Sequence, residues 1–287
     1  MIRDVLEEKI RQYRPRDAVE QENVLAELMQ LTVLASLSRA GFFRAAEFHG
    51  GTCLRIVHGL ERFSEDLDFL LKRPDPRFAW SDFLEPVVRD CAAEGIRFEV
   101  LDKSAAGAVV RKAFLKTDSV GKLLVLDLPF TRRSSRKIRI KLEIDTNPPA
   151  GSTFETSYIT FPVVAALTTQ TLESSFATKS HALLCRSYVK GRDWYDFLWY
   201  AARGVRPDLA LLSSAIDQQG PWAGQGIEVT AKWYLERLRE AIERLDWPAA
   251  ADDLRRFLDP RQQEGLELWG AELFLDRVDK LARVLSG

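Results

Sequence analysis

Apolar residues recur at helical spacing through the first forty positions. From Val24 onward Leu25, Leu28, Leu31, Leu34 and Leu37 recur at helical spacing, and Gly41 supplies a stop. Residues 80–95 read as another helix, with Ser81 as N-cap and Gly95 at the end. Between 96 and 164 the period shifts to two. The runs IRFEVLD, AVVRKAFL, KLLVLDL, KIRIKLEID and SYITFPV are rich in β-branched and aromatic residues and are separated by Gly, Pro, Ser or Asp. Several of their links are too short for a crossover helix, so the sheet is expected to be mixed or mainly antiparallel. Beyond Leu172 the pattern is helical again, over 172–187, 193–203, 208–217, 228–245 and 266–285. Helices, sheet, then helices predict an α+β fold: a mixed or antiparallel sheet flanked by helices over residues 1–170, followed by a helical bundle over 171–287.

Composition narrows the function classes. Hydrophobic residues make up 46% and charged residues 29% of 287, which is ordinary for a globular chain and excludes a wholly disordered one. Three scattered cysteines (Cys53, Cys91, Cys185) and three histidines argue against a disulfide framework or a zinc cluster, and a reducing cytoplasm fits best. The N-terminus lacks a signal-peptide apolar region, and no apolar run is long enough to span a membrane. Lys and Arg total 41 against 42 Asp and Glu, so any nucleic-acid surface must be local.

Four constellations carry chemistry. The first is Gly50-Gly51-Thr52 followed by Asp66-Leu67-Asp68. On a strand Asp66 and Asp68 project together while Leu67, Phe69 and Leu71 face the core. Paired carboxylates invite a hard divalent cation, and a glycine turn before a short helix suits a triphosphate. A turn with two solvated acids would look the same.

The second is the strand 137–145. Ile138, Ile140, Leu142 and Ile144 form one face, and Arg139, Lys141, Glu143 and Asp145 form the other. It offers a further carboxylate, or simply a charged solvent face. With Arg132, Arg133, Arg136 and Lys137 it forms the densest basic patch in the chain.

The third is Lys179, which falls on the inward stripe of the helix 172–187 and must snorkel, lose its proton or meet an anion. The fourth is Lys190-Gly191-Arg192-Asp193-Trp194-Tyr195-Asp196, where Asp193 reads as a first-turn or capping residue of a helix and Lys190 and Arg192 add positive charge just before it.

In order and spacing, GGTCLRIVHGLERFSEDLDFLL, KLEIDTNPP and ATKSHALLCRSYVKGRDWYDF resemble the AbiEii/AbiGii nucleotidyltransferase toxins of the DNA polymerase β-like nucleotidyltransferase superfamily, over roughly residues 45–200. The resemblance implies a metal-dependent nucleotidyltransferase acting in growth arrest or phage defence beside an antitoxin encoded nearby, with tRNA or another RNA as acceptor. It implies that Asp66 and Asp68 hold Mg²⁺ or Mn²⁺ on an NTP, with Glu143 or Asp145 as third carboxylate. Gly50, Gly51, Thr52, Arg62, Ser64, Arg186 and Arg192 would bind the nucleotide, and Lys179 and Asp193 would be catalytic. Other readings of the same residues are transfer to a protein or small-molecule hydroxyl, and a non-catalytic NTP-binding protein.

Overall fold

The computed structural model describes residues 2–93, 98–102, 110–117 and 138–286. They form two compact units. One comprises Met1–Gly59, Phe63–Pro148 and Glu155–Thr169; the other comprises Leu60–Arg62, Pro149–Phe154 and Gln170–Gly287.

In the first unit α1 (Ile2–Tyr13) and α2 (Ala18–Arg39) replace the continuous N-terminal helix expected from periodicity. Pro15 lies in the break, and Asp17 caps α2 by accepting from the Val19 and Glu20 amides. Helix α2 is buried on nearly every side, including Gln21, Glu27, Gln30 and Thr32, whereas Leu31 is only half-buried. Its burial is broad because α2 is a central helix, in contact with both α4 (Ser81–Ala93) and the strand β5 (Ile138–Asp145). Ser81 is the first residue of α4 rather than its cap, and Gly95 lies outside the described residues.

Among the described residues seven strands form one sheet. They are β1 (Ala46–His49), β2 (Asp66–Leu71), β3 (Phe98–Asp102), β4 (Val110–Thr117), β5, β6 (Phe154–Ile159) and β7 (Ala165–Gln170). Their spatial order is β3-β4-β5-β2-β1-β7-β6. The sheet is mixed: β2 is antiparallel to β1 and parallel to β5, while β1 is parallel to β7. The run KLLVLDL lies outside the described residues. Strands β1 and β7 have no counterpart in the strand pattern read from sequence.

The alternation in the two central strands is as their sequences predict. Leu67, Phe69 and Leu71 on β2, and Ile140, Leu142 and Ile144 on β5, are buried. Phe69 joins an aromatic core with Phe42, Phe48 and Trp80, with ring centroids 4.9–6.0 Å apart. Driving one face of each strand into this core turns Asp66, Asp68, Lys141, Glu143 and Asp145 to the other face, where all five are half-buried.

The second unit is helical: α5 (Leu172–Cys185), α6 (Gly191–Ala202), α7 (Leu209–Gln218), α8 (Ala231–Arg244), α9 (Trp247–Arg255), α10 (Pro260–Glu264) and α11 (Ala271–Ser286). Thr171, Asp208, Thr230, Asp246 and Asp259 cap five of them through side-chain oxygens. Helix α6 approaches α9 so closely that a Cβ on Gly191 would lie 1.8 Å from the Ala250 carbonyl oxygen. Phe176 stacks on Tyr200 at 4.4 Å and Trp247 on Phe274 at 4.2 Å to fill the bundle. Among the described residues, no helix is long and apolar enough to cross a membrane.

Candidate active site

In the first unit the site is built where β1 ends. His49 pairs with Asp68 across the β1–β2 ladder, and the next residue, Gly50, opens the nine-residue helix α3 (Gly50–His58). Gly50 has φ +79° and its α-carbon faces Asp68, since a Cβ there would stand 2.7 Å from Asp68 Oδ2. Only glycine meets both conditions. The Asp68 carboxylate therefore lies against the N-terminus of α3, whose first amides are unsatisfied within the helix.

Asp66 is held through its backbone. The Thr52 hydroxyl of α3 donates to the Asp66 carbonyl, while Gln30 Nε2, buried in α2, donates to the carbonyls of Ser64 at 3.0 Å and Glu65 at 2.9 Å. Two helices thus fix the entry to β2 before its first acid.

Register decides which acid of β5 accompanies the pair. Asp66 lies opposite Lys141, Asp68 opposite Glu143, and Leu70 opposite Asp145. Glu143 therefore stands beside the two aspartates. Asp145 is one step removed, and its Oδ1 accepts from the Asn147 amide at 2.9 Å. The Lys141 ammonium lies among the carboxylates, 2.8 Å from Glu143 Oε1 and 3.4 Å from Asp66 Oδ2. Burial disfavours its charge, but the Glu143 hydrogen bond and the Asp66, Glu143 and Asp68 charges outweigh that and raise its pKa.

Among the described residues, no group of three or more acid, histidine or cysteine side chains is arranged to hold a metal ion. The donor set still fits Mg²⁺, which needs one or two carboxylates and takes its remaining ligands from water and phosphate. Asp66 and Asp68 would supply those two, and Glu143 would join only if the Lys141 ammonium left it.

The second unit contains a buried ionic cluster. Arg62 is 2% exposed and forks onto Asp196, with Nε on Oδ1 and Nη2 on Oδ2, both at 2.7 Å. Lys179 Nζ bridges Asp193 Oδ1 at 2.8 Å and Asp196 Oδ2 at 2.9 Å, and Arg186 Nη1 donates to Asp193 Oδ2. Burial would raise the Asp193 pKa, but Lys179, Arg186 and Lys190 together bring it down to about 2. For Lys179, burial is outweighed by Asp193 and Asp196, and its pKa is raised. The inward lysine of α5 has met its anions.

Not every expected residue lies where a nucleotide could use it. Arg62, expected at a triphosphate, is engaged on Asp196. Arg192 packs over the Phe257 ring at 4.3 Å with Nε 3.8 Å from Asp253. Asp193 lies in the first turn of α6, but its carboxylate holds Lys179 and Arg186 and does not cap the helix. Arg132, Arg133, Arg136 and Lys137, and the Arg139 side chain, lie outside the described residues. Gln30, Lys141 and Asp196 are the participants not among the expected site residues.

The mixed sheet presents paired acids at the head of a central strand, and the family comparison places the chain among nucleotidyltransferases. Residues 32–277 match the family described as "Nucleotidyl transferase AbiEii toxin, Type IV TA system", and the chain belongs to that family. It is a nucleotidyltransferase of the toxin type. No curated protein matches it. Among solved structures, JHP933 from Helicobacter pylori shares the fold, with a TM-score of 0.50 and 18% identity over 90% of this chain and 94% of that one. A crystal structure from H. pylori described as a candidate nucleotidyltransferase gives a TM-score of 0.49 and 18% identity, over 88% and 94%.

Proposed function

We propose that this chain transfers a nucleoside monophosphate from an NTP to the 3′-hydroxyl of an RNA, tRNA first among them, with pyrophosphate leaving, as the cytoplasmic toxin of a pair with an antitoxin. The observation that carries the reading is the placement of Asp66 and Asp68 on one face of β2, with Asp68 against the N-terminus of α3. Asp66 and Asp68 would hold Mg²⁺ or Mn²⁺, with Glu143 as the third carboxylate. A bound ion supplies charge neutralisation at the triphosphate and lowers the pKa of the attacking hydroxyl.

The protein's own part is positioning and electrostatics. The amides of Gly50 and Gly51 at the start of α3 receive phosphate oxygens, which favour the positive end of a helix. Thr52 and Gln30 fix the backbone on either side of Asp66, so the acids are presented without reorganisation. No covalent nucleophile is required.

Incubation with Mg²⁺, α-labelled NTPs and total tRNA tests this. The expected product is label that RNase removes and protease does not. Label that only protease removes would move the acceptor to a protein, and no label with any NTP would refute the RNA assignment.

A further inference from the structure

The helical unit contains a cavity of about 360 Å³ that the nucleotidyl chemistry above does not use, lying where the end of α5, the start of α6, α8 and the segment after α7 converge. We propose that this cavity binds a nucleotide, with its base against aromatic side chains and its phosphate on arginines.

The lining carries three guanidinium groups (Arg186, Arg237 and Arg244) and two carboxylates (Asp193 and Glu240). Both carboxylates are already committed, Asp193 to Lys179 and Arg186, and Glu240 Oε1 to Arg237 Nη2 at 2.7 Å. Arg244 pairs with no acid among the described residues. Arg237 Nε is buried without a hydrogen-bond partner, a cost that an acceptor from a ligand would relieve. The cavity therefore has a surplus of donors and positive charge.

It also has aromatic walls. Tyr188 is 63% exposed, with the Arg186 guanidinium 5.3 Å from its ring, and Trp222 lines the opposite segment, edge-on to Trp233 at 5.2 Å. Inorganic phosphate would use the arginines and leave the rings idle. An apolar ligand would strand the guanidinium groups. A nucleotide uses both, through base stacking and phosphate contacts, and the volume suits a ligand of that size. The ligand could be a free mononucleotide or a nucleotide near the end of a single-stranded RNA. The second source alone rests on the acceptor proposed above.

Isothermal titration with the full chain in EDTA tests the site without any catalysis, using 5′-AMP, an RNA trinucleotide and inorganic phosphate as probes. Both nucleotide probes are expected to bind more tightly than phosphate, and the tighter of the two identifies the source. Tyr188→Ala should weaken the tighter ligand about tenfold. Arg244→Gln should lower the salt slope of binding by roughly one. Lys232→Gln, an exposed cation outside the cavity, should change the affinity little. Both cavity residues are exposed, so melting temperatures should stay at the parent value. Equal binding of phosphate and 5′-AMP, or nucleotide affinity untouched by Tyr188→Ala and Arg244→Gln, would overturn the assignment. Because no transfer is measured, failed RNA labelling would leave this result standing, and the converse holds.

Discussion

Asp196→Asn removes one negative charge from the least exposed point of the helical unit. Asp196 is 0% and Arg62 2% exposed, and the carboxylate receives three charge-assisted donors: two from Arg62 at 2.7 Å and one from Lys179 at 2.9 Å. An amide of the same shape can accept on one side only. Its NH₂ would face Arg62 Nε in one orientation, and both Arg62 Nη2 and the Lys179 ammonium in the other, donor against donor. Lys179 keeps Asp193 at 2.8 Å, but Arg62 loses the counter-ion its two nitrogens hold. Removing one member of a buried ion pair costs about 3–5 kcal/mol, because the other charge stays in a low-dielectric interior. Urea unfolding followed by circular dichroism should show that loss as a lower midpoint at unchanged slope. The double replacement Arg62→Met with Asp196→Leu should recover most of it, since exchanging both charges for apolar groups of similar volume is close to neutral. A loss below about 1 kcal/mol for Asp196→Asn, the scale of a solvated surface pair, would refute the reasoning. A double replacement no more stable than the single one would refute it as well.

Other expectations follow from the same geometry. Asp193 is held near pKa 2 against an ordinary 3.8, so its contribution is fully present above pH 4 and is lost as pH falls toward 2. Acid titration of stability should show about 2 kcal/mol disappearing across that window, and Asp193→Asn should flatten it. Asp66→Ala, at a half-exposed position, should abolish nucleotidyl transfer while changing unfolding free energy by no more than about 0.5 kcal/mol; a fall in melting temperature matching the loss of activity would make it a structural residue. Lys141→Met removes the ammonium that competes for Asp66 and Glu143, so Mn²⁺ should bind more tightly when followed by electron paramagnetic resonance; unchanged affinity would mean that the lysine does not guard the site. Gly191→Ala places a methyl into the Ala250 carbonyl and should cost about 1–3 kcal/mol in thermal unfolding by prying α6 from α9.

The central strands were legible because burial on one face enforces strict alternation. Leu67 and Phe69, and Ile140, Leu142 and Ile144, face the core, which is enough to orient Asp66, Asp68 and Glu143 without knowledge of the fold. The choice between Glu143 and Asp145 was not legible, because both share a face and only the parallel register of β5 on β2 separates them. Strand β7 escaped the pattern because its threonines and glutamine are polar, yet Thr169 bonds Ser157 and Gln170 bonds Ser152 and Thr178. Helices α9 and α10 are short, but Asp246 and Asp259, each closely followed by proline, carry the start signal that longer runs overshadowed. That Lys179 must meet an anion could be read from its helical stripe. That it meets both Asp193 and Asp196, with Arg62 joining from a distant loop, depends on tertiary packing that no local spacing encodes.

Asp66 and Asp68 are proposed to serve nucleotidyl transfer to RNA. The direct measurement is mass analysis of tRNA 3′ ends after incubation with each NTP and Mg²⁺, comparing the parent chain with Asp68→Asn. An added nucleoside monophosphate is expected with the parent chain, lost with Asp68→Asn and with EDTA while the variant melts at the parent temperature. Unmodified 3′ ends with every NTP, or addition that persists in Asp68→Asn, would contradict it.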